Sequence, residues 1–314
     1  MSERDAVVTE LQEARRRFLE LVADIRPDLH RYCARMTGSI SDGEDVVQET
    51  LARAYYILAE QETMPPLRPW LFRIAHTRAI DYLRRYERRM SDPIDDFVDT
   101  IPDEKPDPAE ALAHNDATRA AITRFMALVP LQRSCVVLKD VLDHSLDEIA
   151  TLLDISIPAV KAALHRGRVR LQELATADTQ MAAVIALRSS PTPHQNSTAA
   201  SSAAIARFAA LFNARDWDGV RAMLAEDVRL DLVSRIQLAG RAVHKYMTNY
   251  DKYPDWRFVP AWLEGREIIA VFRPSQSPKP AYFIELTFAN DQVKSIRDFL
   301  YVPYIAREAD ITWS

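Results

Sequence analysis

Apolar residues in the N-terminal part of the chain recur every three or four positions, the spacing that places side chains on one face of a helix. The first series consists of Phe18, Leu21, Val22, Ile25 and Leu29. Residues 42–58 carry a second apolar stripe, and a third runs through residues 69–83. Pro65 and Pro66 interrupt the pattern, whereas Pro69 suits the first turn of a helix. The pattern therefore predicts a helical N-terminal region.

A helix-turn-helix pattern occupies residues 145–171. Ser145 and Glu148 fit a capping box, in which each side chain satisfies a backbone N–H that the helix leaves free. Residues 154–156 predict a short turn, and Ser156 can cap a second helix with a basic outer face. In a DNA-binding hairpin of this kind, the second helix enters the major groove. An ordinary helical hairpin with a solvated basic face is the alternative interpretation.

The pattern changes after residues 189–202, a segment rich in Ser, Thr and Pro that predicts a linker. Residues 203–213 and 217–224 predict two helices. The strand-like runs that follow are residues 228–232, 258–263, 268–272, 282–288 and 293–299. Helices followed by a curved antiparallel sheet predict a cone-shaped α+β domain.

Charge is distributed unevenly along the 314 residues, whose net charge is −5. Residues 68–89 carry a local charge of +5 and residues 155–171 carry +4, whereas residues 91–110 carry −7. Because the fields of exposed charges decay over about 10 Å in salt solution, each basic patch can attract a polyanion despite the acidic total. The acidic segment is rich in proline and predicts an extended linker. It is either a solvated tether or a cover for the basic patches in the free protein.

Several classes of protein do not fit the composition. The chain shows no signal peptide and no run of 18 apolar residues, so we expect a cytoplasmic protein with no membrane contact. Cys33 and Cys135 are its only cysteines and lack the spacing of a metal site. A disulfide is improbable in that compartment, and we expect neither a metal nor a cofactor.

Three stretches in this order resemble the extracytoplasmic-function (ECF) sigma factors of bacterial RNA polymerase, and the resemblance covers residues 18–174. They read DGEDVVQETLARAY, PWLFRIAHTRAIDYLRR and LVPLQRSCVVLKDVLDHSLDEIATLLDISIPAVKAALHRGRVRLQ. The resemblance implies that the first docks on the clamp helices of the β′ subunit, the second helps to open and hold the −10 element, and the third binds the −35 element. Asp154 stands where the family usually has a turn glycine, and Ala162 and Ala163 replace a hydrogen-bonding pair. The −35 preference is therefore expected to differ from the family norm.

The resemblance also implies roles for individual residues. The residues expected to bind polymerase are Asp42, Glu44, Asp45, Gln48, Glu49 and Arg53. The residues expected to bind DNA are Arg73, Arg78, Arg84, Arg85, Lys161, His165, Arg166 and Arg168. Trp70 and Phe72 are expected to pack in the core rather than to stack on bases. The base-holding loop of the family corresponds to residues 64–68 or their flank.

Residues 203–305 resemble the SnoaL-like, ketosteroid-isomerase-like superfamily. The resemblance rests on short motifs, among them DWD at 216–218, LAEDV at 224–228 and IRDF at 296–299. It implies an apolar pocket, in which Asp298 is a candidate proton-transferring base or else a surface partner of Arg297. The residues expected to line the pocket are Tyr246, Trp256, Trp262, Tyr282, Asp298 and Tyr301. Aromatic residues in a curved sheet are also ordinary core residues, and this fold hosts many unrelated functions.

The sequence thus predicts two all-α domains, the second with a helix-turn-helix, followed by an α+β SnoaL/NTF2-like domain. The predicted segments are residues 1–90 for polymerase docking and the −10 element, 91–108 as acidic linker, 109–188 for the −35 element, 189–202 as linker and 203–314 as regulatory domain. We expect a non-enzymatic sigma factor whose partners are the β′ and β subunits of RNA polymerase core and promoter DNA. Its C-terminal domain would contact the sigma domains and tune activity, with or without a small-molecule ligand. The alternatives are a DNA-binding regulator that senses a small molecule, or an isomerase or hydrolase.

Overall fold

The computed structural model of the chain describes residues 13–61, 63–91, 125–186, 199–247, 250, 255–289, 291–309 and 311–313. The described residues fall into two compact units. Unit 1 contains those up to residue 186, and unit 2 contains those from residue 199. The predicted acidic linker lies outside the described residues except for residue 91, and the second linker does so up to residue 198.

Unit 1 is helical throughout its described residues. After a helical stretch over residues 13–21, its elements are α1 (Arg26–Thr37), α2 (Ile40–Glu60), α3 (Leu67–Ser91), α4 (Pro130–Val136), a π-helical turn (Val137–Val141), α5 (Leu146–Leu153) and α6 (Ile157–Ala186). Gly38 ends α1 with φ +84°, a left-handed conformation that most residues with a side chain adopt only with strain. Ser39 begins α2, where its side chain accepts a hydrogen bond from the Asp42 amide.

The α5–α6 hairpin confirms the local reading of the sequence. The Ser145 hydroxyl accepts from the Glu148 amide at 3.2 Å, and the Glu148 carboxylate accepts from the Ser145 amide at 2.7 Å. This is the predicted capping box. Asp154 ends α5 with φ +55°, so the turn survives without glycine because Asp tolerates the left-handed region. Ser156 accepts a long hydrogen bond, 3.4 Å, from the Ala159 amide at the start of α6.

The described residues of both predicted helical domains share one hydrophobic core in unit 1. Polar groups are buried where α1, α3 and α4 meet. The Tyr32 hydroxyl lies 3.0 Å from Ser134 Oγ and 2.8 Å from His76 Nδ1. The buried Arg133 donates to the carbonyl oxygens of Met36 and Leu128. The boundary between the two helical domains stays a prediction.

Unit 2 begins with helices and continues into a sheet. Its elements are α7 (Ala199–Ala214), α8 (Trp217–Met223), β1 (Leu224–Leu232), β2 (Ile236–Ala239), α9 (Arg241–Tyr246), β3 (Arg257–Leu263), β4 (Arg266–Phe272), β5 (Tyr282–Ala289), β6 (Gln292–Asp298), α10 (Tyr304–Glu308) and β7 (Thr312–Trp313). All five predicted strands are present, with shifted ends. The sequence pattern missed β2, α9, α10 and β7, which are short.

The sheet has the strand order β2-β1-β6-β5-β4-β3-β7. β1 pairs with β6 in parallel and the other neighbouring pairs are antiparallel, so the sheet is mixed and the expectation of an antiparallel sheet is wrong. The reason is topological, because β1 and β6 are far apart in sequence and the intervening chain brings β6 back in the same direction. Helices followed by this sheet confirm the predicted α+β architecture of the C-terminal region, whereas its assignment to the SnoaL/NTF2-like superfamily stays a prediction.

Aromatic side chains fill the core between α7 and the sheet. The Phe212 ring on α7 stacks on the Phe258 ring of β3 at 4.2 Å between centroids, with an interplanar angle of 9°. Phe212 also meets the edges of Trp217, Tyr250 and Trp256. The Asn213 amide group holds the same strand, since it donates to the Phe258 carbonyl and accepts from the Phe258 amide, both at 2.8 Å. These contacts attach α7 to one face of the sheet.

Candidate functional site

Helix α6 presents a cationic face beside a buried one. Val160 and Ala163 are fully buried and anchor the helix against the core of unit 1. Lys161, His165 and Arg166 are exposed, as the sequence predicted. Because a helix-turn-helix reads DNA with the N-terminal part of its second helix, this face has the position and charge of a recognition surface.

Arg168 differs from the other predicted DNA-binding residues of α6. Its guanidinium donates two hydrogen bonds to the Asp140 carboxylate, from Nε at 3.0 Å and from Nη2 at 2.5 Å. The hydrogen bond to Asp140 raises the pKa of Arg168 above its ordinary value. Arg168 thus lies in the predicted region but has an intramolecular partner.

The predicted DNA-binding arginines of α3 lie on an exposed or half-buried side of that helix. Arg73 Nη2 donates to the Thr151 carbonyl of α5 at 3.0 Å. Arg84 is exposed and borders a cavity of about 390 Å³ between α3 and α4, together with His76 and Leu131. The cavity wall is mainly apolar, and its polar side chains are those of Arg84 and His76.

The other two predicted DNA-binding arginines of α3, Arg78 and Arg85, form ion pairs. Arg78 Nη1 lies 3.8 Å from the Asp81 carboxylate on the same helix. Arg85 Nη2 lies 3.4 Å from Glu49 Oε2 on α2, and both side chains are about half exposed. Exposed pairs of this kind contribute about 0–1 kcal/mol. A phosphate group can therefore replace the carboxylate at little cost.

Helix α2 places most of the predicted polymerase-binding residues on its outer side. Glu49 and Arg53 are exposed, while Asp42, Asp45 and Gln48 are half-buried. The Arg53 guanidinium lies 5.8 Å from the centroid of the exposed Tyr56 ring. This surface is mixed in charge and carries an aromatic ring, so it suits a polar protein partner.

The expectation that Glu44 lies on this outer surface and binds polymerase is wrong. Its side chain is 0% exposed and pairs with the guanidinium of Arg26 on α1. A buried carboxylate paired in this way joins two helices and has no surface to offer a partner. The sequence contained the signal, since Glu44 precedes Val47 by three positions and Leu51 by seven and so shares their inward face.

The predicted core role of the α3 aromatic residues is confirmed. Phe72 is fully buried and Trp70 is partly buried against the same core. The Phe72 ring meets the edge of Tyr32 at 5.7 Å, and the Arg68 guanidinium lies 5.5 Å from its centroid. Arg68 also donates to the Asp28 carboxylate at 2.6 Å. Arg68 is the last residue of the predicted base-holding loop, residues 64–68, so its bond to Asp28 holds that end of the loop.

Unit 2 contains a buried carboxyl group at Asp298, one of the residues that the sequence predicted for a pocket. Asp298 is 0% exposed, and its carboxylate accepts from the Tyr250 hydroxyl at 2.6 Å and from the Leu300 amide at 2.9 Å. Burial raises the pKa of Asp298 to about 6, while both hydrogen bonds act to lower it. Tyr250 was not predicted, because nothing in the local pattern distinguishes it from a core aromatic residue. The alternative of a surface pair between Asp298 and Arg297 is excluded.

The six residues expected to line a pocket differ in exposure, and Tyr246 among them is half-buried. Trp256 and Tyr282 are buried, and burial raises the pKa of Tyr282. Their Nε1 and hydroxyl groups have no hydrogen-bond partner among the described residues. Trp262 and Tyr301 are 37% and 38% exposed, and their part in a pocket stays a prediction. The Arg235 guanidinium lies over the Tyr301 ring, 4.3 Å from the ring centroid.

Three further observations concern the described residues only. They contain no group of three or more His, Cys, Asp or Glu side chains suited to a metal ion. None of their helices is long and apolar enough to cross a membrane. Cys33 and Cys135 are both buried free thiols.

The chain matches two protein-family models, Sigma-70 region 2 over residues 21–89 and Sigma-70 region 4 over residues 119–171. The ECF RNA polymerase sigma factor SigG of Mycobacterium tuberculosis (strain CDC 1551 / Oshkosh) is 32% identical over 168 residues, which are 47% of this chain and 45% of SigG. The ECF RNA polymerase sigma factor SigL of Mycobacterium tuberculosis (strain ATCC 35801 / TMC 107 / Erdman) is 34% identical over 152 residues, which are 46% of this chain and 84% of SigL. The crystal structure of the Mycobacterium tuberculosis extracytoplasmic function sigma factor SigJ is 19% identical, with a TM-score of 0.34, and the match covers 89% of this chain and 95% of SigJ.

Unit 1 is therefore of the Sigma-70 class. Region 2 corresponds to α1–α3, and region 4 includes the helix-turn-helix. More particularly, the chain belongs to the family of ECF RNA polymerase sigma factors. It spans only about half the length of SigG, a curated relative that it matches.

Proposed function

We propose that this protein directs RNA polymerase core to promoters and promotes transcription initiation. The observation that carries the proposal is the α5–α6 hairpin, which exposes Lys161, His165 and Arg166 on one face while Val160 and Ala163 anchor the other. Family membership adds the expectation of a −10 element bound by α3 and a −35 element bound by α6. Lys161 and Arg166 are then phosphate or base contacts.

The second part of the proposal concerns polymerase. Asp42, Asp45, Gln48, Glu49 and Arg53 lie on the outer side of α2, and the clamp helices of the β′ subunit are their proposed partner. The β subunit is the proposed partner of region 4. This docking surface separates a sigma factor from a DNA-binding repressor, which has no need of it.

The third part concerns unit 2, which we propose tunes activity by contacting the sigma regions or polymerase. A fused domain reaches a high effective concentration beside its neighbour, so a weak interface suffices. A small-molecule ligand near Trp256 and Tyr282 is a finer proposal, supported by their two unpartnered polar groups. We propose no enzymatic activity, because Asp298 is fully buried and already bound by Tyr250 and Leu300. A cytoplasmic location stays a prediction.

Run-off transcription with purified core polymerase tests the main proposal. The full chain should support initiation from a promoter selected with it, and Lys161→Gln with Arg166→Gln should abolish this while leaving polymerase binding intact. Glu49→Lys with Arg53→Glu should instead weaken polymerase binding. Thr176→Ala, an exposed change farther along α6, serves as control. Failure of the unaltered chain to associate with core polymerase at any salt concentration would contradict the proposal.

A truncated chain tests the regulatory part separately. Residues 1–188 should retain promoter-dependent initiation but show a changed rate or promoter choice, since they lack unit 2. Their helix content, measured by circular dichroism, controls for folding. Identical activity and promoter choice with and without unit 2 would remove the regulatory role.

A further inference from the structure

We infer that Asp140 and Arg168 form a clamp that positions the recognition helix, so that Arg168 acts through α6 rather than by holding DNA. The inference rests on the proposed DNA-binding function. The two residues are 28 positions apart, and Asp140 lies in the π-helical turn that precedes the helix-turn-helix. The geometry is a fork, with two nitrogens of one guanidinium donating to the two oxygens of one carboxylate. Such forks fix orientation as well as distance.

A close contact between helices lies directly beside the fork. Gly167 of α6 is buried, and a Cβ atom built there would lie 2.8 Å from Cγ2 of Val136 at the end of α4. Carbon atoms normally approach to about 3.5–4.0 Å, so a larger residue would push the two helices apart. The glycine therefore sets how closely the two helices approach, and the neighbouring ion pair ties α6 to the π-helical turn that follows α4.

The position of the clamp along α6 magnifies its effect. Arg168 lies eleven residues after Ile157, the first residue of α6, a distance of about 16 Å along the helix. Lys161 lies about 10 Å from the clamp on the same scale. A tilt of about 10° about the clamp would displace the start of the helix by about 3 Å. Hydrogen bonds to base edges tolerate far less than that.

In the competing interpretation, Arg168 contacts a DNA phosphate, and the Asp140 carboxylate competes with that phosphate for the guanidinium. The two interpretations predict opposite results for Asp140→Asn. Loss of a competitor should strengthen DNA binding, whereas loss of a clamp should weaken it. Two of the guanidinium nitrogens already donate to Asp140, which favours the clamp.

The experiment uses the full chain and a DNA duplex selected with it from a random library. Fluorescence anisotropy at several salt concentrations gives the affinity and its salt dependence for Asp140→Asn, Arg168→Gln and the double variant. We expect each single change to weaken binding by about fivefold, the upper end for an exposed ion pair. The double variant should be no weaker than either single one, because both remove the same interaction. The salt slope should stay unchanged.

Asp143→Asn is the matched control, because it neutralises an exposed carboxylate three residues from Asp140, and Asn tolerates the positive φ of this position. Lys161→Gln is the control for a direct contact and should reduce the salt slope by about one. Amide hydrogen exchange over residues 157–164, measured without DNA, gives a second readout. It should accelerate in Asp140→Asn and Arg168→Gln but not in Asp143→Asn.

Three results would overturn the clamp. These are tighter binding by Asp140→Asn, a salt slope reduced by about one in Arg168→Gln, and unchanged exchange over residues 157–164 in both variants. If the unaltered chain selects no duplex at all, the DNA-binding function itself is wrong and the clamp loses its role with it. That failure is distinguishable, because it precedes any comparison of variants.

Discussion

The buried carboxyl of Asp298 should make unit 2 more stable in mild acid than at neutral pH. Its pKa is raised to about 6 in the folded chain, from an ordinary value of 3.8, because burial disfavours the charged form. Between these two values the folded state holds a proton that the unfolded state has lost. The unfolding free energy therefore falls as the pH rises through this window and levels off above it.

The magnitude follows from the size of the shift. At about 1.4 kcal/mol for each pKa unit, the full shift corresponds to about 3 kcal/mol. Between pH 4.5 and 6.5 the expected change is about 2 kcal/mol. Replacing Asp298 with Asn removes the titrating group and keeps an oxygen that can accept from the Tyr250 hydroxyl. The difference in stability between the original chain and this variant should therefore depend on pH.

Hydrogen exchange resolved by peptide suits the assay, because the two units need not unfold together. The free energy of opening is measured for amides of β5 and β6 at pH 4.5, 5.5 and 6.5, after correction for the intrinsic effect of pH on exchange. Asp227→Asn is the control, since it removes an exposed carboxylate from the same unit and should leave the acid stabilisation in place. A difference between the original chain and Asp298→Asn that stays constant from pH 4.5 to 6.5 would refute the reasoning.

Three further predictions concern unit 1. Glu44→Gln should destabilise it by about 3–5 kcal/mol, because it leaves the charge of Arg26 buried without its carboxylate; exchange of α1 and α2 amides measures this, and Glu49→Gln should show no such loss. Phe72→Ala should cost about 3–5 kcal/mol through the cavity left in the core, read from urea unfolding followed by circular dichroism; a cost under about 1 kcal/mol would contradict full burial. Ser145→Ala should cost about 1 kcal/mol through loss of the cap of α5, seen as a lower Tm, whereas Ser145→Thr should retain most of the stability.

The sequence alone was sufficient for features that arise within one element or between adjacent ones. Helical spacing located α2 and α3, alternation located the five longer strands, and the residue types at Ser145 and Glu148 predicted a capping box that the structure contains. The exposed cations of α6 follow from the same spacing. These features are local because backbone geometry sets the periods of 3.6 and 2 residues, whatever the rest of the chain does.

The tertiary structure alone decided which distant groups meet. Spacing places Glu44 on the inner face of α2, but only the position of α1 supplies Arg26 as its partner. The fork between Asp140 and Arg168, the parallel pairing of β1 with β6 and the contact of Tyr250 with Asp298 all join residues far apart in sequence. A local sequence pattern does not predict such contacts, because they depend on how whole helices and strands pack around a common core.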